Sequence, residues 1–234
     1  MKIAGFQKLT LLDFPSKVAC IIFTQGCNYR CPYCQNSGLL GHENDELIDE
    51  EEIFAYLNKR KGVIDGIVIS GGEPTVQKDL EVFMRKVKDL GFLIKLDTNG
   101  TNPDLIEKLI KEKLVDYIAM DIKNVLPKYK EVTSVSPIVE KLKRSIEILK
   151  NSNIDHEFRT TIIKNIHDMD KLVEICSYVD GDKMFLQNFE QSENVMGKNL
   201  ESFSHEELEK IDKKMKGQFP NVIIRGLWGG NIYV

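Results

Sequence analysis

The sequence has no apolar run approaching the roughly 20 residues that span a bilayer. Its first ten residues, Met1 to Thr10, hold no apolar core of the length a secretory signal uses, so a cytoplasmic protein is expected. Positive charge is not in excess: 32 Lys and Arg face 36 Asp and Glu, a net charge of -4. That balance removes the general electrostatic ground for binding nucleic acid or an anionic membrane, and neither partner is expected. No low-complexity segment, internal repeat or Gly/Ser linker divides the chain, and residues 1–234 read as one domain. Cysteine is scarce and uneven. Of the five, three fall between Cys27 and Cys34, while Cys20 and Cys176 stand alone. A secreted disulfide framework spreads an even number through a short, loop-rich chain, so this pattern points instead to metal ligation in a reducing compartment.

What is present is a regular alternation. Val18 to Phe23, Gly66 to Ser70, Phe92 to Asp97 and Asp116 to Asp121 read as buried strands, with weaker ones at His156 to Ile162, Lys183 to Gln187 and Val222 to Arg225. Between them lie amphipathic stretches with helix start and stop signals. Asp49 with Glu52 and Ser204 with Glu207 predict capping boxes. Asn102-Pro103 and Ser136-Pro137 predict a cap before a proline at the first helical position. Gly91 predicts the end of a helix over Leu80 to Leu90. Six strand-helix repeats imply right-handed βαβ units and a parallel sheet covered by helices. They are too few for the closed eightfold barrel. The expected α/β architecture is a partial, open (β/α)6 barrel, with a flat doubly wound sheet as the alternative.

The chemistry gathers straight after the first buried strand, in Thr24-Gln25-Gly26-Cys27-Asn28-Tyr29-Arg30-Cys31-Pro32-Tyr33-Cys34. Thiolates are the soft ligands that iron–sulfur clusters require. Spacings of three and two residues let one short loop wrap its sulfurs around a cluster face. Three sulfurs are one short of the four irons of a [4Fe-4S] cluster, and an incompletely ligated metal keeps a position open for chemistry. The competing reading is a zinc site completed by a remote histidine such as His42. Cys20, inside a strand, and Cys176, inside a helix, read as small buried hydrophobes.

The pattern C-x3-C-x-aromatic-C, with Tyr33 as the aromatic, resembles the cluster motif of the radical S-adenosylmethionine superfamily. The resemblance implies one [4Fe-4S] cluster on Cys27, Cys31 and Cys34. It also implies S-adenosylmethionine bound to the unique iron and cleaved by a reducing electron to methionine and a 5′-deoxyadenosyl radical. Ser70-Gly71-Gly72-Glu73-Pro74 resembles the GGEP element that meets the amino group of S-adenosylmethionine, with Gly71 and Gly72 offering backbone contacts and Glu73 in support. Leu96-Asp97-Thr98-Asn99-Gly100 and Met120-Asp121-Ile122-Lys123 resemble the DTNG and D-x-K elements of glycyl-radical-enzyme activases. There they contact the ribose and carboxylate of the cofactor and can hold a monovalent cation. Taken alone, Asp97 or Asn99 also reads as a helix cap. Arg159 is expected to complete the carboxylate site and Gln187 to contact adenosine. All these residues end successive predicted strands, the edge where parallel barrels place active sites.

The stretch Gly5 to Pro15 resembles the opening of a subgroup of anaerobic ribonucleoside-triphosphate reductase activating proteins, and Arg225 to Gly230 also fits it. That likeness implies hydrogen abstraction from a glycine of a glycyl radical enzyme, anaerobic ribonucleotide reductase first and pyruvate formate-lyase as the alternative. The electron is expected from a flavodoxin or ferredoxin-type reductant. No eight-cysteine insert lies between Cys34 and Gly71, so auxiliary clusters are not expected. A small-molecule radical enzyme of the deazaguanine synthase type is the further alternative. Arg30, Asn36 and His42 lie near the expected site without an assigned role.

Overall fold

A computed structural model describes residues 1–41, 47–135 and 138–227. Eight strands form one sheet in chain order: β1 (Ile3–Thr10), β2 (Ala19–Thr24), β3 (Gly66–Gly71), β4 (Leu93–Thr98), β5 (Tyr117–Asp121), β6 (Asp155–Ile162), β7 (Met184–Asn188) and β8 (Val222–Arg225). From β2 to β8 every neighbouring pair is parallel, and β1 runs antiparallel to β2. The sheet begins at β1 and ends at β8, so the expected open architecture is the one observed. β1 is an addition to the six repeats, because residues 3–10 did not read as a strand.

The helices are α1 (Glu50–Lys59), α2 (Leu80–Asp89), α3 (Pro103–Lys111), α4 (Tyr129–Thr133), α5 (Val139–Lys150), α6 (Met169–Ser177) and α7 (His205–Lys216). Their ends follow the local chemistry. The Asn102 side chain accepts from Leu105 N–H ahead of Pro103, and Ser204 with Glu207 forms a full capping box. Gly91 follows α2 at φ +89°, a conformation glycine adopts without Cβ strain. Two expectations change. Asp49 caps α1 through Glu51 N–H, and no capping box with Glu52 forms there. α5 begins at Val139 with Ile138 at its N-cap and no side-chain cap; Ser136 and Pro137 lie outside the described residues.

A period of two divides the sheet into two unlike faces. Cys20, Ile22, Ile67, Ile69, Ile94, Leu96, Ile118 and Met120 join the large core with the helices. Their alternates Ala19, Ile21, Val68 and Tyr117 form a small second cluster with Phe14 on the other face. That same face carries Lys95, beside Val68 and Tyr117 in the ladder, and then Asp97, Asp121, Glu157 and Arg159. Among the described residues no helix is long and apolar enough to cross a membrane.

Candidate active site

The cysteine loop leaves the end of β2 and is sewn to its neighbours through the backbone. Gly26, at φ +91°, donates to the Leu39 carbonyl at 2.7 Å and accepts from Glu73 N–H at 2.9 Å. Gly72 N–H donates to the Thr24 carbonyl at 2.9 Å. Arg30, which had no role from sequence, turns its guanidinium inward to the carbonyls of Cys27 and Tyr29 at 2.7 and 2.8 Å. It therefore braces the loop from within. Cys31 is buried, and Cys27 and Cys34 are half-buried; none is in a disulfide. Burial pushes the Cys27 thiol up to about 11 and raises Cys31 as well. A thiolate persists in such surroundings when a bound metal supplies compensating positive charge, which suits a ligand set better than a free nucleophile. Tyr33 is buried beside Cys31, and Tyr29 is buried with no hydrogen-bond partner for its hydroxyl among the described residues. Cys20 and Cys176 sit in the core as expected.

Glycine is required at the crossing of β3 and this loop. A Cβ on Gly71, at φ +121°, would lie 2.2 Å from Thr24 N, and one on Gly72 would lie 2.0 Å from the Gly26 carbonyl oxygen. Glu73 follows and is nearly inaccessible, 1% exposed. Its carboxylate accepts from Thr75 N–H at 3.0 Å, Thr75 Oγ1 at 2.5 Å, Thr98 Oγ1 at 2.7 Å and Asn99 N–H at 2.6 Å. Burial pushes its carboxyl above the usual carboxylate range against the pull of those bonds. Glu73 thus ties the end of β3 to the end of β4. Asn99 extends the tie by donating to Asn28 Oδ1 at 2.8 Å, inside the cysteine loop.

The ends of β4, β5 and β6 carry a chain of opposite charges. Asp97 accepts from Lys95 Nζ at 2.7 Å and Ser70 Oγ at 3.0 Å, with Arg159 Nη1 3.4 Å away. Asp121 accepts from Arg159 Nε and Lys123 Nζ, both at 2.9 Å. Asp97 therefore belongs to this chain and does not cap a helix. Burial alone would raise both aspartates, yet Arg159 foremost, then Lys95 for Asp97 and Lys123 for Asp121, outweigh it and hold both low. The same pairings keep Lys123 and Arg159 charged against their burial. On the same face, Glu157 accepts from Tyr117 Oη at 2.9 Å, and Arg225 of β8 lies 3.6 Å from it. The carboxylates on this face are thus each paired with cationic side chains, and Lys123 and Arg159 are the cations that reach the cavity.

One cavity of about 270 Å³ joins these parts. Cys27, Cys31, Tyr33, Cys34, Gly71, Gly72, Glu73, Asp97, Thr98, Asn99, Asp121, Lys123, Arg159 and Gln187 all line it, so every site residue expected from sequence faces one space. Asn36 lines it too. Lys95 and Glu157 were missed, because a charged residue inside a β-branched run gives no signal until the strand's face is known. Among the described residues no three His, Cys, Asp or Glu side chains gather as ligands of one metal ion. His42, weighed as the completion of a zinc site, lies outside the described residues.

A sequence model of the radical SAM superfamily matches residues 21–179. The chain belongs to the radical SAM superfamily. A Methanocaldococcus jannaschii protein provisionally named a glycyl-radical enzyme activating enzyme is 38% identical over 97% of each chain. A Sulfurisphaera tokodaii protein provisionally named a GTP 3′,8-cyclase is 26% identical over 88% of this chain and 65% of its own. Among solved structures, SuiB of Streptococcus suis bound to the precursor peptide SuiA superposes with a TM-score of 0.69 at 15% identity. That match covers 88% of this chain and 48% of SuiB, and it shows the shared fold. Radical SAM enzymes work with a [4Fe-4S] cluster and S-adenosylmethionine. The three thiols and the charged strand ends, placed around one cavity, fit that pair.

One buried group of this radical SAM enzyme gives its stability a pH dependence. His167 is fully buried and accepts from Ile163 N–H through Nδ1 at 3.0 Å. Burial lowers its pKa to about 4, so the folded ring stays neutral while the unfolded ring titrates near 6.5. Its contribution is complete above pH 6.5 and is lost as pH falls toward 4, about 2 kcal/mol between pH 7 and 5. Denaturant unfolding at both pH values should show that loss, and His167→Gln should lack it. Equal losses in the two proteins would show that the imidazole titrates normally in the fold.

Proposed function

We propose that this radical SAM enzyme is an activase that removes a hydrogen atom from a backbone glycine of a glycyl radical enzyme, anaerobic ribonucleoside-triphosphate reductase being the partner. The observation that carries the reading is the 38% identity to the M. jannaschii protein across nearly the full length of both chains. Convergence of the DTNG and D-x-K segments with the cysteines on one cavity supports it.

In this reading Cys27, Cys31 and Cys34 hold the cluster beside Tyr33, and the strand ends hold the cofactor. Gly71 and Gly72 bring bare backbone close to its amino group. Lys123 and Arg159 face its carboxylate, Lys123 as a compact point charge and Arg159 as a planar fork. Asp97, Thr98 and Asn99 meet the ribose, Asp121 orients both cations, Glu73 supports from below, and Gln187 reaches adenosine. When bound and reduced, the pair supplies a 5′-deoxyadenosyl radical for hydrogen abstraction. A flavodoxin or ferredoxin-type protein supplies the electron. The reading needs no monovalent cation, because both carboxylates already meet cationic side chains.

The test is anaerobic. The reconstituted enzyme is mixed with S-adenosylmethionine, reductant and the anaerobic ribonucleotide reductase of the same organism. Electron paramagnetic resonance should then show a glycyl radical, with 5′-deoxyadenosine formed. A radical on pyruvate formate-lyase alone would change the partner. Turnover of GTP with no radical on either protein would overturn the activase reading.

A further inference from the structure

We infer that Tyr129 and His167 are positioning residues that act through Lys123, clamping its main chain so that its ammonium meets the cofactor carboxylate. The inference rests on the proposed role of Lys123.

Lys123 lies two residues beyond the end of β5 and one beyond its last bond to β6, from Ile122 N–H to the Arg159 carbonyl at 2.8 Å. The period of two would carry its side chain to the same face as Asp121, but only while the chain stays extended. Buried side chains replace the ladder there. Lys123 N–H donates to Tyr129 Oη at 2.9 Å, and the Tyr129 hydroxyl faces the Asp121 carbonyl at 3.4 Å. Thr160 Oγ1 donates to the Ile122 carbonyl at 2.7 Å.

The Lys123 carbonyl lies 3.2 Å from His167 Nε2. Ile163 N–H occupies Nδ1 of that ring, so Nδ1 accepts and Nε2 carries the proton that it donates to Lys123. Tyr129 is 1% exposed and His167 fully buried, so neither bond competes with bulk water. Both polar groups of the Lys123 main chain are therefore held by rigid aromatic rings from separate elements, α4 and the turn before α6. The ammonium is left to swing only about its own side chain, toward Asp121 Oδ2 at 2.9 Å and the cavity. Neither ring is among the residues lining that cavity. They act at one remove.

The experiment uses the anaerobically reconstituted holoenzyme and two probes, S-adenosylhomocysteine, which carries the carboxylate, and 5′-methylthioadenosine, which lacks it. Tyr129→Phe keeps the ring packed and deletes the oxygen. It should keep the iron and weaken S-adenosylhomocysteine about tenfold while leaving methylthioadenosine unchanged. His167→Gln should do the same, and Tyr129→Phe decides alone if that variant does not fold. In a Lys123→Ala background Tyr129→Phe should add nothing further, the non-additivity expected of groups acting through one residue. If Lys123→Ala weakens the homocysteine probe but Tyr129→Phe does not, or if the penalties simply add, the clamp is overturned. If Lys123→Ala itself leaves that affinity unchanged, the carboxylate assignment fails, and the clamp falls with it.

Discussion

Replacing Cys27, Cys31 or Cys34 singly by Ala is expected to reduce S-adenosylmethionine cleavage to the background of the protein-free assay. The size of the effect follows from ligand count. Three sulfurs leave one iron of a cubane open for the cofactor, and removing any one leaves a second iron without a protein ligand. Among the described residues neither Cys20 nor Glu73 is placed to substitute: Cys20 is in the core, and Glu73 spends its oxygens on Thr75, Thr98 and Asn99. The rest of the fold should tolerate the change best at Cys27 and Cys34, which are only half-buried, whereas Cys31 is buried. Iron and sulfide content after anaerobic reconstitution, with 5′-deoxyadenosine formed under a chemical reductant, is the direct measurement. A single variant that keeps both the cluster and cleavage would remove that cysteine from the ligand set.

How much of this was legible beforehand depended on how local each signal is. The cysteine loop shows itself through ligand type and spacing, both fixed within eight residues. Gly71-Gly72 is equally local, because the demand for a missing Cβ is written in the residue itself. β1 was not legible. Residues 3–10 lie at the sheet edge, are buried only at Ile3 and Thr10, contain Gly5 and carry no clean alternation, so no period marks them as a strand. The luminal charges were hidden for the opposite reason. Lys95 and Glu157 sit in strands buried on both faces, where a single charge looks like noise until its partners on neighbouring strands are known. His167 and Tyr129 give even less, since each matters only through a main-chain group of Lys123 that it meets once the chain has folded, 44 residues away for His167 and 6 for Tyr129. The Asp49 and Glu52 expectation failed at a fine scale. The spacing permits a reciprocal bond, but the Asp49 carboxylate accepts from Glu51 N–H instead.

The second large effect is expected at Gly72. An added Cβ would stand 2.0 Å from the Gly26 carbonyl oxygen and 2.6 Å from its carbon. Both are backbone atoms, so no rotamer change relieves the clash and the two segments have to part. Parting them is costly because three bonds stitch this crossing. Gly72 N–H donates to Thr24, Glu73 N–H to Gly26, and Gly26 N–H to Leu39, at 2.9, 2.9 and 2.7 Å. Overpacking a well-packed core costs roughly 1–3 kcal/mol, and a backbone clash at a hydrogen-bonded junction belongs at or above the top of that range. For Gly72→Ala we expect about 3 kcal/mol or more, read as a fall of roughly 10 °C in melting temperature for a chain of this size. The loss should extend to chemistry, since moving Gly26 shifts the neighbouring Cys27 and the whole loop that Arg30 braces. Gly217→Ala is the matched control, with its nearest neighbour at an ordinary 3.5 Å and φ at -71°. Both variants keep all five cysteines. If Gly72→Ala melts with the control and reconstitutes full iron, the close approach of β3 to the cysteine loop is not what holds that loop in place.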